Sequence, residues 1–277
     1  MTPGLNLIGA GHVGRVLGRL FALQGCFNIQ QVLTRSAASA RDGVAFIGAG
    51  QAVERYDQLQ PAAVHVLAVG DDQIADACAA LARAVPLAGG VVFHCSGALA
   101  SDQLQPARDA GALVASVHPI RSFADPSAVA AQFAGTFCGI EGDAGALAVL
   151  TPALTAIGAQ PVPIDADAKT VYHAAAVFAS NYLVTVLDAA LRAYQAAGIP
   201  EPVARQMAQP LASESMANVF RLGAAAALSG PIARGDMATV GRQQRAVAGW
   251  DAATGELYRA LVAPTTELAR RKHQRTP

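Results

Sequence analysis

Apolar residues fall into short runs along the first 164 positions, and beyond them recur at the spacing of long helices. The runs at 5–8, 29–33, 63–69, 91–94, 113–117, 137–140 and 161–164 predict strands. Between them, 13–24, 72–84, 101–110 and 144–157 predict helices. Strands alternating with helices imply crossover connections, and so a mainly parallel, doubly wound α/β sheet. From 165 onward the strand signals stop and long helical segments take over, with breaks at Gly198-Ile199-Pro200, Ser229-Gly230-Pro231 and Trp250-Asp251. The 277 residues therefore divide into an α/β domain at 1–164 and an all-α domain at 165–277, in line with about 150 residues per domain. No repeat or low-complexity linker separates the two, which predicts a shared interface with a ligand cleft in it.

Composition removes several function classes. Hydrophobic residues make up 53% and charged residues 14%, too apolar for a disordered tail. Twenty basic residues balance twenty acidic ones, so no global field draws the chain to nucleic acid or to an anionic membrane. No run of letters approaches the roughly 18 apolar residues that cross a bilayer, and the first residues lack a secretory signal pattern. The expectation is a soluble, cytoplasmic protein. Cys26, Cys78, Cys95 and Cys138 lie far apart in apolar segments, as reduced thiols do. His94, Cys95 and His118 lack paired-ligand spacing, so no metal is expected. Within the basic set 18 residues are Arg, and only Lys169 and Lys272 are Lys. A lysine that survives this coding bias in mid-chain marks Lys169 for attention, whereas Lys272 lies in a basic tail.

Gly9-Ala10-Gly11-His12-Val13-Gly14 directly follows the first strand and opens the first helix. In that context G-x-G-x-x-G is the Rossmann fingerprint. Gly9 permits the tight turn, Gly11 lets the backbone approach pyrophosphate, Gly14 allows helix and strand to pack closely, and amides at the helix start bind phosphate. An NAD site usually carries Asp or Glu about 20 residues further on, for the ribose hydroxyl. Here the second strand ends in Leu33-Thr34-Arg35-Ser36. An Arg fork flanked by the hydroxyls of Thr34 and Ser36 suits a 2′-phosphate, which favours NADP over NAD.

Residues at the carboxyl ends of strands line the ligand crevice of such a sheet. Val69 ends the third strand beside the cofactor. Asp72, just beyond, reads as a helix N-cap. Ser96, in His94-Cys95-Ser96-Gly97, is either a turn serine or a donor to the nicotinamide amide or a substrate oxygen. His118, in His118-Pro119, is either a satisfied structural imidazole or one facing the cleft. In the first all-helical segment, Lys169, His173 and Ser180 fall on one face at 100° per residue, with Asn181 about 120° away. That polar stripe on an apolar helix needs partners, and a ligand could supply them.

Together with Ser229-Gly230-Pro231-Ile232-Ala233-Arg234-Gly235-Asp236 and the run from Tyr172 to Tyr182, these motifs resemble a group of Rossmann-like proteins with a C-terminal domain of unknown function 2520. That group resembles in turn the wider superfamily of 6-phosphogluconate dehydrogenase, pyrroline-5-carboxylate reductase and ketopantoate reductase. The resemblance implies a Rossmann domain followed by an all-α domain like the C-terminal part of 6-phosphogluconate dehydrogenase. It also implies hydride transfer with NADP or NAD, and a homodimer joined through the helical domain. β-Hydroxyacid dehydrogenases, which belong to the same superfamily, place a catalytic Lys four residues before Asn. Here Lys169 precedes His173 at that spacing, so Lys169 carries over as an acid/base and the Asn role does not. Arg234 resembles in placement a substrate-binding loop of pyrroline-5-carboxylate reductase. It is a candidate for a substrate carboxylate, with an Arg tying an interface as the alternative.

The expectation is thus an NADP(H)-dependent oxidoreductase acting on a small carbonyl, imine or hydroxy compound. Lys169 and His173 move protons, Ser96, Asn181 and His118 orient, Arg234 and Ser180 bind substrate, and Gly9 through Gly14, Thr34 to Ser36, Val69 and Ser96 hold the cofactor. A non-catalytic NAD(P)-binding sensor is the alternative.

Overall fold

A computed structural model describes residues 2–274. By contacts the chain forms two compact units, Met1–Phe178 and Ala179–Pro277. The first holds an eight-stranded sheet in the order β3-β2-β1-β4-β5-β6-β7-β8. Its elements run β1 Gly4–Ile8, α1 His12–Leu23, β2 Asn28–Leu33, α2 Ala37–Ile47, β3 Gln51–Val53, β4 Val64–Leu67, α3 Ile74–Ala84 and β5 Val91–His94. They continue with α4 Gln105–Asp109, β6 Leu113–Pro119, α5 Pro126–Ala131, β7 Phe137–Gly142, α6 Ala144–Ala156, β8 Gln160–Pro163 and α7 Lys169–Val177. All neighbouring strands are parallel except β6 and β7. The chain order reverses between β1 and β4, which opens the ligand crevice beyond their carboxyl ends.

The expected strands are all present, and three elements are additional. α2, β3 and α5 escape the apolar pattern because they are short or rich in Ala and Gly. Asp72 is not an N-cap: it lies in a 3-10 turn, Asp71–Gln73, entered from Gly70, and α3 starts at Ile74 without a side-chain cap. β8 tolerates Pro161 and Pro163 because it is the outer strand, where a missing N–H leaves no ladder partner unpaired. Both faces of the sheet are covered. Leu5, Leu7, Val64, Val66, Phe93 and Val117 pack on one side, while Ile8, Leu67, Ile74, Leu81, Val92 and Leu104 pack on the other.

The second unit consists of α8 Leu183–Ala196, α9 Glu201–Leu222, α10 Ala224–Ala227, α11 Met237–Trp250 and α12 Ala252–Gln274. The expected breaks fall where proposed, and Gly223, at φ +81°, adds one more between α9 and α10. The unit buries mainly small residues, Ala189, Ala204, Ala225, Ala233 and Ala269 among them. Several of its large apolar side chains face outward, Phe220 at 89% and Val184 at 67% exposed, whereas Val240 is buried. One expectation needs correction. The helical run Ala166–Ala196 has 31 residues and a mean hydropathy of 1.5 in its apolar window, long and apolar enough by those measures to cross a membrane. His173, Ser180 and Asn181 interrupt the run of apolar letters without lowering that mean much.

Burial has a pH consequence for the sheet. His65 and His94 are fully buried on β4 and β5. Desolvation pushes His65 down to about 4 and His118 likewise to about 4, and it lowers His94. A histidine depressed below its unfolded value adds stability that is complete above about pH 6.5 and is lost as pH falls toward 4, because the unfolded chain binds the extra proton. Urea midpoints should therefore fall steadily from pH 7 to pH 4.5, and His65→Leu should flatten the slope by about 1.4 kcal/mol per pH unit. A wild-type midpoint that does not move across that range contradicts the burial argument.

Candidate functional site

At the crevice, each fingerprint glycine has a separate steric reason. Gly9 has φ +90°, and a Cβ there would strike the Ala68 backbone. A Cβ on Gly14 would collide with the Gly9 carbonyl and with Ala68 Cβ at 2.8 Å, so helix and strand approach only without one. A Cβ on Gly11 would meet nothing within 4 Å, leaving open space where a pyrophosphate would lie. Gly11 is also the N-cap of α1, with no side-chain cap and no acid in the first turn. The first amides of α1 are thus left for an anion. These features fit a dinucleotide.

A cavity of about 850 Å³ opens here. Of the residues expected at the cofactor, Gly9, Ala10, Gly11, Thr34, Arg35 and Val69 line it. Arg15, Ser39, Glu54, Tyr56, Gln73 and Asp76 also line it, brought there by α1, α2, α3 and the turn after β3 in ways the sequence pattern does not show. His12, Val13, Gly14, Ser36 and Ser96 do not line it. His12 Nδ1 instead meets the Phe123 carbonyl at 2.5 Å, and Ser36 caps α2 by accepting from the Ser39 amide at 3.3 Å. Thr34 Oγ1 donates to the Ser36 carbonyl at 2.8 Å. Arg15 is tied to the Ala10 carbonyl through Nε at 3.0 Å and Nη2 at 2.9 Å, whereas the exposed Arg35 has no hydrogen-bond or ion-pair partner among the described residues.

A second group forms where α7 lies across β6 and β7. Alternation puts Ser116 and His118 of β6 on one face, and the antiparallel register sets them opposite Glu141 and Gly139 of β7. Residues one helical turn apart on α7 then land one after the other on that ribbon. Lys169 is 2% exposed. Its Nζ donates to Ser116 Oγ, reaches the Ser96 carbonyl at 3.2 Å and pairs with Glu141 Oε1 at 3.4 Å. Glu141 also accepts from the Ser101 amide at 2.8 Å and from Ser101 Oγ at 2.7 Å. Burial pushes the Lys169 ammonium below the usual lysine value, and the Glu141 charge opposes that.

One turn on, His173 packs edge-on to His118 with ring centroids 5.5 Å apart. Both imidazoles lie against Gly97, where a Cβ would come within 2.7 Å of His118 Nε2 and strike His173 Cδ2. His118 Nδ1 meets Tyr172 Oη at 2.8 Å, while His118 Nε2 and both ring nitrogens of His173 have no hydrogen-bond partner among the described residues. Ser96 Oγ accepts from the amides of Ala98 and Leu99 at 3.2 and 3.0 Å, so it holds the turn. His94 braces the same loop by accepting from the Ser96 amide and meeting the Ala100 carbonyl.

The structure thus gathers Lys169, His173, His118 and the Ser96 backbone in the first unit. Ser180, Asn181 and Arg234 belong to the second unit. A π-helical turn, Phe178–Tyr182, follows α7, so the uniform 100° step used to place Ser180 with Lys169 and His173 does not run through it. Glu141, Ser116 and Tyr172 escaped sequence reasoning. Only alternation along β6 and β7 pointed to the first two, and it became readable once the register was known.

Residues 4–119 match the model of a Rossmann-like domain, and residues 136–265 match the domain of unknown function 2520. The chain thus carries a Rossmann-like domain followed by the domain of unknown function 2520. No curated protein matches it. Among solved structures, this DUF2520 protein is similar to a Bacteroides fragilis protein provisionally named an NADP oxidoreductase, at 21% identity over 96% of this chain and 98% of that one, TM-score 0.79. A Thermotoga maritima protein matches at 26% identity over 97% and 99%, TM-score 0.72. An imine reductase from Myxococcus stipitatus, solved in complex with NADP+, matches at 18% over 99% and 95%, TM-score 0.66. The shared architecture is a Rossmann-like domain followed by a helical region.

Proposed function

We propose that this DUF2520 protein is an NADP(H)-dependent oxidoreductase acting on a small carbonyl, imine or hydroxy compound. The observation that carries the reading is the Arg35 guanidinium, without a partner among the described residues, on the cavity that the uncapped start of α1 opens into. Backbone amides of α1 hold the diphosphate, and Arg35 with Thr34 and Ser39 holds a 2′-phosphate. A bound nicotinamide supplies the hydride chemistry. The chain's own contribution at the reacting end is the imidazole pair. His173, whose ring nitrogens have no partner among the described residues, offers or takes the proton at the substrate oxygen or nitrogen, and the neutral His118 donates a hydrogen bond there through Nε2. Lys169 holds the loop through the Ser96 carbonyl.

Two observations favour other readings. Glu54 and Asp76 also line the cavity, and a carboxylate there suits the ribose hydroxyls of NAD. Lys169, the expected acid, is committed to a buried ion pair, as it would be in a dinucleotide sensor that performs no turnover. Equilibrium titration with NADPH and NADH, followed by nicotinamide absorbance over a panel of cyclic imines, 2-oxoacids and hydroxyacids, separates the three. NADPH should bind more tightly than NADH, and Arg35→Asp should lose roughly ten- to a hundredfold of NADPH affinity. His118→Gln and His173→Gln should each lower kcat by about a hundredfold without changing NADPH affinity. Unchanged NADPH affinity in Arg35→Asp removes the NADP assignment, and tight binding without turnover on any substrate supports the sensor.

We also infer a cytoplasmic homodimer formed through the helical unit. Phe220, Val184 and Leu211, the last 60% exposed, put large apolar side chains on the outside of that unit, where a second copy could cover them. Light scattering should give twice the 28.2 kDa chain mass, and Leu211→Asp with Phe220→Asp should return the monomer. A monomeric wild type at micromolar concentration overturns the inference.

A further inference from the structure

We propose that Tyr172 is a positioning residue that fixes His118 as its Nε2–H tautomer, so that β6 presents an imidazole N–H donor rather than a lone pair. Gly139 sits opposite His118 in the antiparallel register. Lacking a side chain, it lets the Tyr172 phenol come close to β7: a Cβ there would strike Oη and come within 2.8 Å of Cζ. From that position Oη reaches the neighbouring His118 Nδ1 at 2.8 Å, with the two rings edge-on at 89° and 5.6 Å apart.

A phenol O–H is a stronger donor than a neutral imidazole N–H, and an imidazole nitrogen is a stronger acceptor than a phenol oxygen. The shared proton therefore stays on Tyr172 and points at Nδ1, which leaves the imidazole proton on Nε2. Both groups are neutral at pH 7, as this requires: burial pushes the Tyr172 phenol up to about 12 and the His118 imidazole down to about 4. Charged and titratable neighbours of His118 are His173, Lys169 and Asp71. Nε2 lies against Gly97 with no hydrogen-bond partner among the described residues, so its proton is available to a ligand oxygen or nitrogen.

The consequence for turnover rests on the proposed oxidoreductase reading, but the tautomer is a property of the free protein and is measured without substrate. Long-range proton–nitrogen correlation spectra of the full chain carrying 15N-histidine, with His118 identified by its loss in His118→Gln, report the tautomer directly. The expected result is an Nε2–H imidazole in the wild type and a mixture of tautomers in Tyr172→Phe. Gly139→Ala keeps the hydroxyl but displaces it, and should give the same mixture. An Nδ1–H wild type, or an Nε2–H tautomer that survives both substitutions, overturns the proposal. If Tyr172→Phe does not fold, the wild-type spectrum alone decides. With a substrate in hand, Tyr172→Phe should lower kcat about tenfold with NADPH affinity unchanged. An altered tautomer with unaltered kcat would count against His118 in the reaction, not against the role of Tyr172.

Discussion

The buried ion pair between Lys169 and Glu141 is the contact on which the His118–His173 end of the sheet depends. A single ammonium bonds the Ser96 carbonyl after β5, the Ser116 hydroxyl on β6 and the Glu141 carboxylate on β7, and so joins α7 to three strand ends. Glu141 is completed by the amide and hydroxyl of Ser101. Such a pair adds little net stability over an apolar replacement, yet removing one partner strands a charge in the interior at a cost of about 3 to 5 kcal/mol. Its value lies in register. With Lys169 fixed, the next turn of α7 must set Tyr172 over Gly139 and His173 against Gly97.

The dinucleotide end relies on a different constraint, close backbone approach without side chains. Gly9 and Gly14 remove steric obstacles within the chain, whereas Gly11 leaves space that no described residue fills. The reversal of strand order between β1 and β4 places that space at the carboxyl edge of the sheet. The β5 and β6 ends carrying Gly97 and His118 lie further along the same edge, so the proposed cofactor and proton sites share one unit.

Much of this was legible in the sequence for a physical reason. Buried parallel strands read as continuous apolar runs, and a fingerprint glycine has few tolerated substitutes, so the strands around Gly9 through Gly14 and the helical character beyond 165 could be read from letters alone. The same letters flagged Lys169, His118 and His173 but not the contacts each of them makes. Helical periodicity put Lys169 and His173 on one face. It could not say that Lys169 meets Glu141, 28 residues earlier on an antiparallel strand. Arg15, Ser39 and Glu54 reach the cavity through tertiary placement, which periodicity does not encode. The apolar run Ala166–Ala196 was missed for the opposite reason, since scattered polar letters hid a high mean hydropathy.

A double-mutant cycle on Lys169 and Glu141, read by urea unfolding alongside turnover, tests most directly whether this ion pair builds the site. Lys169→Met and Glu141→Gln should each destabilise the chain by about 3 kcal/mol, and the double variant should lose far less than the sum, because neither charge is then left alone. Full stability in Lys169→Met together with abolished turnover would contradict the account and return Lys169 to the role of catalytic acid.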